Sequence, residues 1–124
     1  MKNKILYISI IHALIFSSNV RAQNMFQKVL GGTGSDFGYF SELTPDSGQI
    51  IFGSTDGFGF GSNDFYLVKT DMNGDTMWAK AYGNIGSDIG YHMQRTSDGG
   101  YILIGETGSF GAGNIDIYLV DMLM

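Results

Sequence analysis

The sequence contains no cysteine, one proline and two histidines. Without cysteine there is no disulfide framework, no lipid anchor on a cysteine at a leader cleavage site, and no thiolate metal ligand. Such a chain must hold itself together by packing. Long apolar runs are missing too: the run Ile5–Phe16 has 12 residues, well short of the roughly 20 that span a bilayer. Cations are scarce. Lys2, Lys4 and Arg21 sit in the first 22 residues, leaving Lys28, Lys69, Lys80 and Arg95 against twelve acids from Gln23 onward, a formal net charge of −8 over 102 residues. That surface repels phosphate, so nucleic acid and anionic membrane are poor partners, whereas calcium or a cationic surface is compatible with it.

What is present begins with a leader. Lys2 and Lys4 precede the apolar run, and a polar stretch then ends Val20-Arg21-Ala22 with small residues where a signal peptidase reads. Residues 1–22 are predicted to be a secretory signal peptide, and the mature chain to start at Gln23 and leave through the periplasm for the cell surface or medium, with no membrane contact after cleavage. All 19 glycines lie in that mature part and the only proline is Pro45. Aromatic and β-branched residues in short runs between glycines predict many short strands and tight turns.

The mature chain is written twice at an offset of 52 residues. Gly34-Ser35-Asp36-Phe37-Gly38-Tyr39 returns as Gly86-Ser87-Asp88-Ile89-Gly90-Tyr91, and of the 49 positions that pair between Asn24–Met72 and Thr76–Met124, 22 are identical. Residues 23–124 therefore read as a repeat region, with repeat 1 at 26–77 and repeat 2 at 78–124. Each unit offers four strand-like runs: Phe26–Leu30 and Trp78–Tyr82, Gly38–Thr44 and Gly90–Thr96, Gln49–Gly53 and Tyr101–Gly105, Asp64–Thr70 and Asp116–Val120. Four strands per repeat is the count of one propeller blade. The third and fourth runs are apolar without alternation, which predicts sheets covered on both faces. Asp46-Ser47-Gly48 and Asp98-Gly99-Gly100 are expected to turn the second run into the third, and Asn73-Gly74 to form a type I′ hairpin, making neighbouring strands antiparallel. The recurring aromatics Tyr39/Tyr91, Tyr66/Tyr118 and Phe58/Phe110 are expected in the core, with the Phe pair plugging a blade edge.

Asp98-Gly99-Gly100-Tyr101-Ile102, the strand Asp64–Asp71 and the following Asn73-Gly74-Asp75-Thr76-Met77-Trp78 resemble the roughly 50-residue β-propeller repeats of secreted Bacteroidetes-type bacterial proteins. The resemblance covers Phe26–Met124 and implies an exported repeat module. It carries no catalytic residue. Its usual members are longer and end in a sorting domain, a departure that leaves open the export route past the inner membrane.

Four groups of residues are candidate sites. Asp71, Asn73 and Asp75 place oxygens at alternate positions, which invites calcium. An EF-hand loop would need glycine and glutamate where Thr76 and Tyr82 stand, and a plain turn is the stronger reading. Asp36 and Asp88 head the second run, where a carboxylate accepts from nearby backbone N–H groups or, in a ring of acids, binds a cation. His92, opposite Phe40 in the other copy, reads as a packing residue. With one mature histidine, no Gly-x-Ser-x-Gly elbow and the acids Glu42 and Glu106 on different units, no catalytic set is visible.

The expected fold is all-β: two four-stranded antiparallel propeller-type blades forming an incomplete propeller. The expected role is non-enzymatic, structural or interaction, with an unidentified protein or glycan partner. The alternatives are part of a propeller-scaffold hydrolase or lyase with its site on other blades, and a calcium-dependent or glycan-binding module. Natural rings need about four to eight blades, so two units are expected to belong to a longer exported chain or to close by homo-oligomerisation. Either way, the lone monomer is expected to expose apolar faces above the roughly 300–600 Å² of ordinary soluble proteins.

Overall fold

The computed structural model describes residues 25–124. The expected signal peptide and its cleavage junction lie outside the described residues. All regular structure among them is β: β1 (Asp36–Leu43), β2 (Gln49–Thr55), β3 (Asp64–Thr70), β4 (Thr76–Tyr82), β5 (Asp88–Arg95), β6 (Tyr101–Thr107) and β7 (Asp116–Met122). They form two antiparallel sheets, ordered β1-β2-β3-β4 and β5-β6-β7. The first three strands start at residues 36, 49 and 64 and the strands of the second sheet at 88, 101 and 116, an offset of 52 each time.

Three hairpin turns share one construction. At Thr44–Gly48 the Thr44 N–H donates to Gly48 O (3.0 Å) and the Ser47 N–H to Thr44 O (2.9 Å), and Asp71–Asp75 and Thr96–Gly100 repeat both bonds. The residue after each inner turn is left-handed: Ser47 at φ 66°, Gly74 at 80° and Gly99 at 89°. This is a type I turn followed by a left-handed residue, a three-residue loop. The type I′ turn expected at Asn73-Gly74 is therefore corrected, since that type needs positive φ at both residues and Asn73 does not have it. Ser47 occupies a backbone region that costs an L-residue roughly 1–2 kcal/mol. Ser47→Gly is expected to raise the denaturation midpoint, by about 0.5–1 kcal/mol once the looser unfolded chain is allowed for; a lower midpoint would contradict the turn.

Sheet one has four strands, but its fourth is β4, which holds the run Trp78–Tyr82 expected to open the second unit, and sheet two has three. The run Phe26–Leu30, expected as a strand, is not one. A strand exists by pairing with an edge, and this run lies elsewhere. The Phe26 ring sits over Gly74, where an added Cβ would come within 2.4 Å of it, Lys28 Nζ donates to Asp75 at 2.6 Å, and Leu30 borders a small cavity with Ile51, Tyr66 and Val68 on the outer face of sheet one. Its counterpart at the 52-residue offset, β4, has the β3 edge to pair with, Phe65 opposite Tyr82 and Leu67 opposite Lys80.

The sheets stack face to face. Ile50, Phe52, Phe65 and Leu67 of sheet one meet Met93, Tyr101, Leu103 and Met122 of sheet two in one fully enclosed cluster. Contact is close because glycines stand beneath the rings: a Cβ on Gly90 would lie 2.3 Å from Phe52, and one on Gly105 2.7 Å from Phe65. The Asp88 N–H donates to Asn63 O at 2.7 Å, tying the sheets at one end.

Coverage of both faces holds in part for β2 and β3 of sheet one, where Ile51 and Tyr66 of the outer face are half-buried, and fails for sheet two. β3 is buried almost throughout, whereas on β7 Ile117 is 81% and Leu119 60% exposed, and Ile104 of β6 is 41% exposed. Sheet two packs on sheet one with a single face, so the apolar residues of its other face meet solvent. Tyr39 and Tyr91 also depart from the expected core. The pairing skips them, from Gly38 to Phe40 and from Gly90 to His92, so each is the extra residue of a β-bulge and points away from the ladder. Both are half-exposed, their rings 6.1 Å apart. Phe58 and Phe110 are likewise half-exposed, resting on Tyr66 (6.0 Å) and Tyr118 (5.2 Å) outside the enclosed cluster.

Candidate functional site

The densest polar constellation is a row of aspartates at one end of the sheets. Asp36, Asp64, Asp88 and Asp116 are the first residues of β1, β3, β5 and β7. In sheet one, Thr55 pairs with Asp36 on one side and Asp64 on the other; Thr107 stands likewise between Asp88 and Asp116. Each carboxylate turns back on its own loop. It accepts the N–H of Gly32 (2.8 Å), Phe60 (2.8 Å), Asn84 (2.9 Å) and Gly113 (3.1 Å) respectively. Five residues before each aspartate stands a glycine: Gly31, Gly59, Gly83 and Gly111. Three of these are at positive φ, and a Cβ there would come within about 2.2 Å of the carboxylate. Asp36 and Asp88 thus make the backbone-binding turn expected of them. The 52-residue comparison missed that Asp64 and Asp116 do the same, because they recur within a unit; the fourfold Gly-x-x-x-x-Asp spacing was the signal that could have found them.

Asp64 and Asp88 converge on Gly83, where an added Cβ would meet Asp64 Oδ1 at 2.1 Å and Asp88 Oδ2 at 2.6 Å. The Asp88 carboxylate is fully engaged, by Asn84, by the hydroxyl of Ser109 (2.6 Å) and by that of Thr107. Asp64 is 2% exposed, and its Oδ1 has no hydrogen-bond partner among the described residues. Burial first, and then the nearby Asp88 charge, push its carboxyl up, against the pull of the Phe60 N–H. The Tyr118 hydroxyl is pushed up by burial and by the charges of Asp88 and Asp64. Asp64 borders an open cleft of about 750 Å³ walled by Phe58, Phe60, Tyr82, Gly83 and Tyr118. Chemically the cleft offers aromatic faces, the Lys80 side chain and one buried acceptor.

At the calcium candidate, Asp71 Oδ1 accepts the N–H groups of Asn73 (2.8 Å) and Asp75 (2.9 Å), and these bonds hold its carboxyl below the ordinary range. Asp75 carries the Lys28 ammonium. All three residues are engaged in closing their own turn. Among the described residues no group of three His, Asp or Glu side chains converges. His92 lies against Phe40, ring centroids 4.5 Å apart, on the strands β5 and β1.

One buried charge escaped the sequence reading. Lys69, 3% exposed, donates to Asp46 Oδ2 at 2.8 Å and to its neighbour's carbonyl, Thr70 O, at 2.7 Å. The ammonium, the Thr44 hydroxyl and the Gly48 N–H together hold the Asp46 carboxyl far below the usual carboxylate range. The 52-residue counterpart of Lys69 is Asp121, so this bond belongs to sheet one alone. Compared with protein-family models and with curated protein sequences, the chain matches none.

Proposed function

We propose that the chain is an exported, non-enzymatic β-propeller-type module built on a 52-residue unit, with a structural or interaction role at the cell exterior, working with further units of a longer chain or of other copies. The stacking carries this reading. Sheet two lies face to face on sheet one through Met93, Tyr101, Leu103 and Met122, and a stack of like sheets can be extended by adding further units. Asp36, Asp71 and Asp88 are engaged in holding their own loops, and the leader pattern Lys2–Ala22 supports export. Expression with the native leader in a bacterial host tests the export half. Amino-terminal sequencing of the released protein is expected to read from Gln23, and a membrane-bound product retaining residues 1–22 would contradict it.

The Asp64 cleft favours a second reading, a glycan-binding module, because aromatic faces beside a hydrogen-bond acceptor suit a sugar ring. A glycan array probed with and without calcium separates the two, since a hit weakened by Tyr82→Ala supports the second reading.

A further inference from the structure

We infer that the open side of sheet two is a docking surface for a second copy of this chain, which adds its Met25–Leu30 segment as a fourth strand and the outer face of its sheet one as the cover. Two independent features of the structure point to this occupant.

The first is the face. The free side of sheet two carries Ile102, Ile104, Ile117 and Leu119, paired across the strands as Ile104 with Leu119 and Ile117 with Glu106. Their counterparts 52 residues earlier are Ile50, Phe52, Phe65 and Leu67, the very residues by which sheet one grips sheet two. What they grip there is Met93, Tyr101, Leu103 and Met122, with Tyr118 and Val120 beside them; the counterparts on the outer face of sheet one are Ser41, Gln49, Ile51 and Thr70, with Tyr66 and Val68. Each chain therefore presents at one end the gripping half of an interface it already makes internally, and at the other a face that keeps Ile51, Tyr66 and Val68 of the gripped half with Ser41, Gln49 and Thr70 as a polar border. Such a contact is heterologous, and it forms a ring or a filament according to the rotation between copies.

The second feature is the edge. Among the described residues β7 is paired on one side only, with β6, and a free edge offers its N–H and C=O groups to another strand. The corresponding edge of β3 is taken by β4. The segment that matches β4 at the 52-residue offset is Met25–Leu30, with Met25 and Lys28 identical to Met77 and Lys80. It forms no ladder in its own chain and leaves Met25 96% and Val29 99% exposed. Transferring the β3–β4 register of Phe65 to Tyr82 and Leu67 to Lys80 sets Leu30 of one copy opposite Ile117 of the other, and Lys28 opposite Leu119. In the same geometry that places β4 beside sheet two, the segment then passes from the edge of one copy's sheet two to the outer face of its own sheet one.

The inference rests on sheet register and not on the export or binding role, so it can fail separately from them. Absence of native cysteine makes the test clean. Lys28→Cys and Leu119→Cys variants, purified after export and mixed under mild oxidation, are expected to form a disulfide-linked heterodimer at least about ten-fold faster than the pair Gln27→Cys and Leu119→Cys, whose side chains face opposite sides of the ladder. No heterodimer, or equal rates for the two pairs, would overturn the inference. Sedimentation velocity on the unmodified chain at micromolar concentration is the second arm. A discrete assembly is expected, of about two to four copies if it closes as a propeller of four to eight blades, reverting to monomer in Leu119→Asp with an unchanged far-ultraviolet spectrum. A stable monomer of the unmodified chain would overturn it, whereas an assembly of another size would leave the docking surface standing and contradict only the propeller reading.

Discussion

Replacing Leu67 by alanine is expected to destabilise the chain by about 2–5 kcal/mol, the range for removing a buried leucine and leaving a cavity. Leu67 is completely enclosed, packed among Ile50, Phe52, Phe65 and Leu103 between the two sheets. Folding free energies of small domains are about 5–15 kcal/mol, so this one change removes a large part of the total. Leu119 is the same residue in the other copy of the repeat, yet it is 60% exposed, and on dilute monomer Leu119→Ala is expected to cost no more than about 0.5 kcal/mol. The sequence alone treats the two leucines as equals and predicts the same loss for both. Urea denaturation of the pair decides: equal losses would contradict the one-sided packing of sheet two.

The second large effect comes from adding a single methyl group. Gly90→Ala would drive a Cβ to 2.3 Å from the Phe52 ring and 2.7 Å from Gly53 O, and the backbone carbonyl cannot swing aside as a side chain can. Overpacking of this kind costs about 1–3 kcal/mol. Gly105→Ala meets the same obstacle, 2.0 Å from Ile89 O and 2.7 Å from Phe65. Gly32→Ala is the control, since nothing lies within 4 Å of its Cβ position, and it is expected to change stability by less than about 0.5 kcal/mol. Thermal melts in which Gly90→Ala matches Gly32→Ala would mean that the sheets do not approach each other there.

Strands and antiparallel pairing were legible because they depend on local chemistry. Asp46-Ser47-Gly48 and Asp98-Gly99-Gly100 can do little except turn, and the apolar runs after them pair by proximity. Tyr39 and Tyr91 were misread as core because identity at both positions reports a shared constraint without saying which one; a conserved bulge residue and a conserved core residue look alike in a two-copy comparison. Phe26–Leu30 was misread for a different reason. Its composition suits a strand, but a strand is a relation between two segments, and only three dimensions show that it lies against no edge of its own chain. The Asp64 cleft was invisible for a similar reason: Asp64 and Asp88 belong to different units, and their approach at Gly83 depends on how the sheets stack. The Lys69–Asp46 bond spans 23 residues with no spacing motif to announce it.

The central claim is that the two sheets pack face to face with the glycines of sheet two beneath the phenylalanines of sheet one. Nuclear Overhauser spectroscopy on the exported chain in solution tests it most directly. Cross-peaks are expected from the Phe52 ring to the Gly90 α-protons and from the Phe65 ring to the Gly105 α-protons, those protons being shifted upfield by the ring currents. Glycine α-protons at unshifted positions, with no cross-peak to either ring while the strand pairings within each sheet remain, would contradict it.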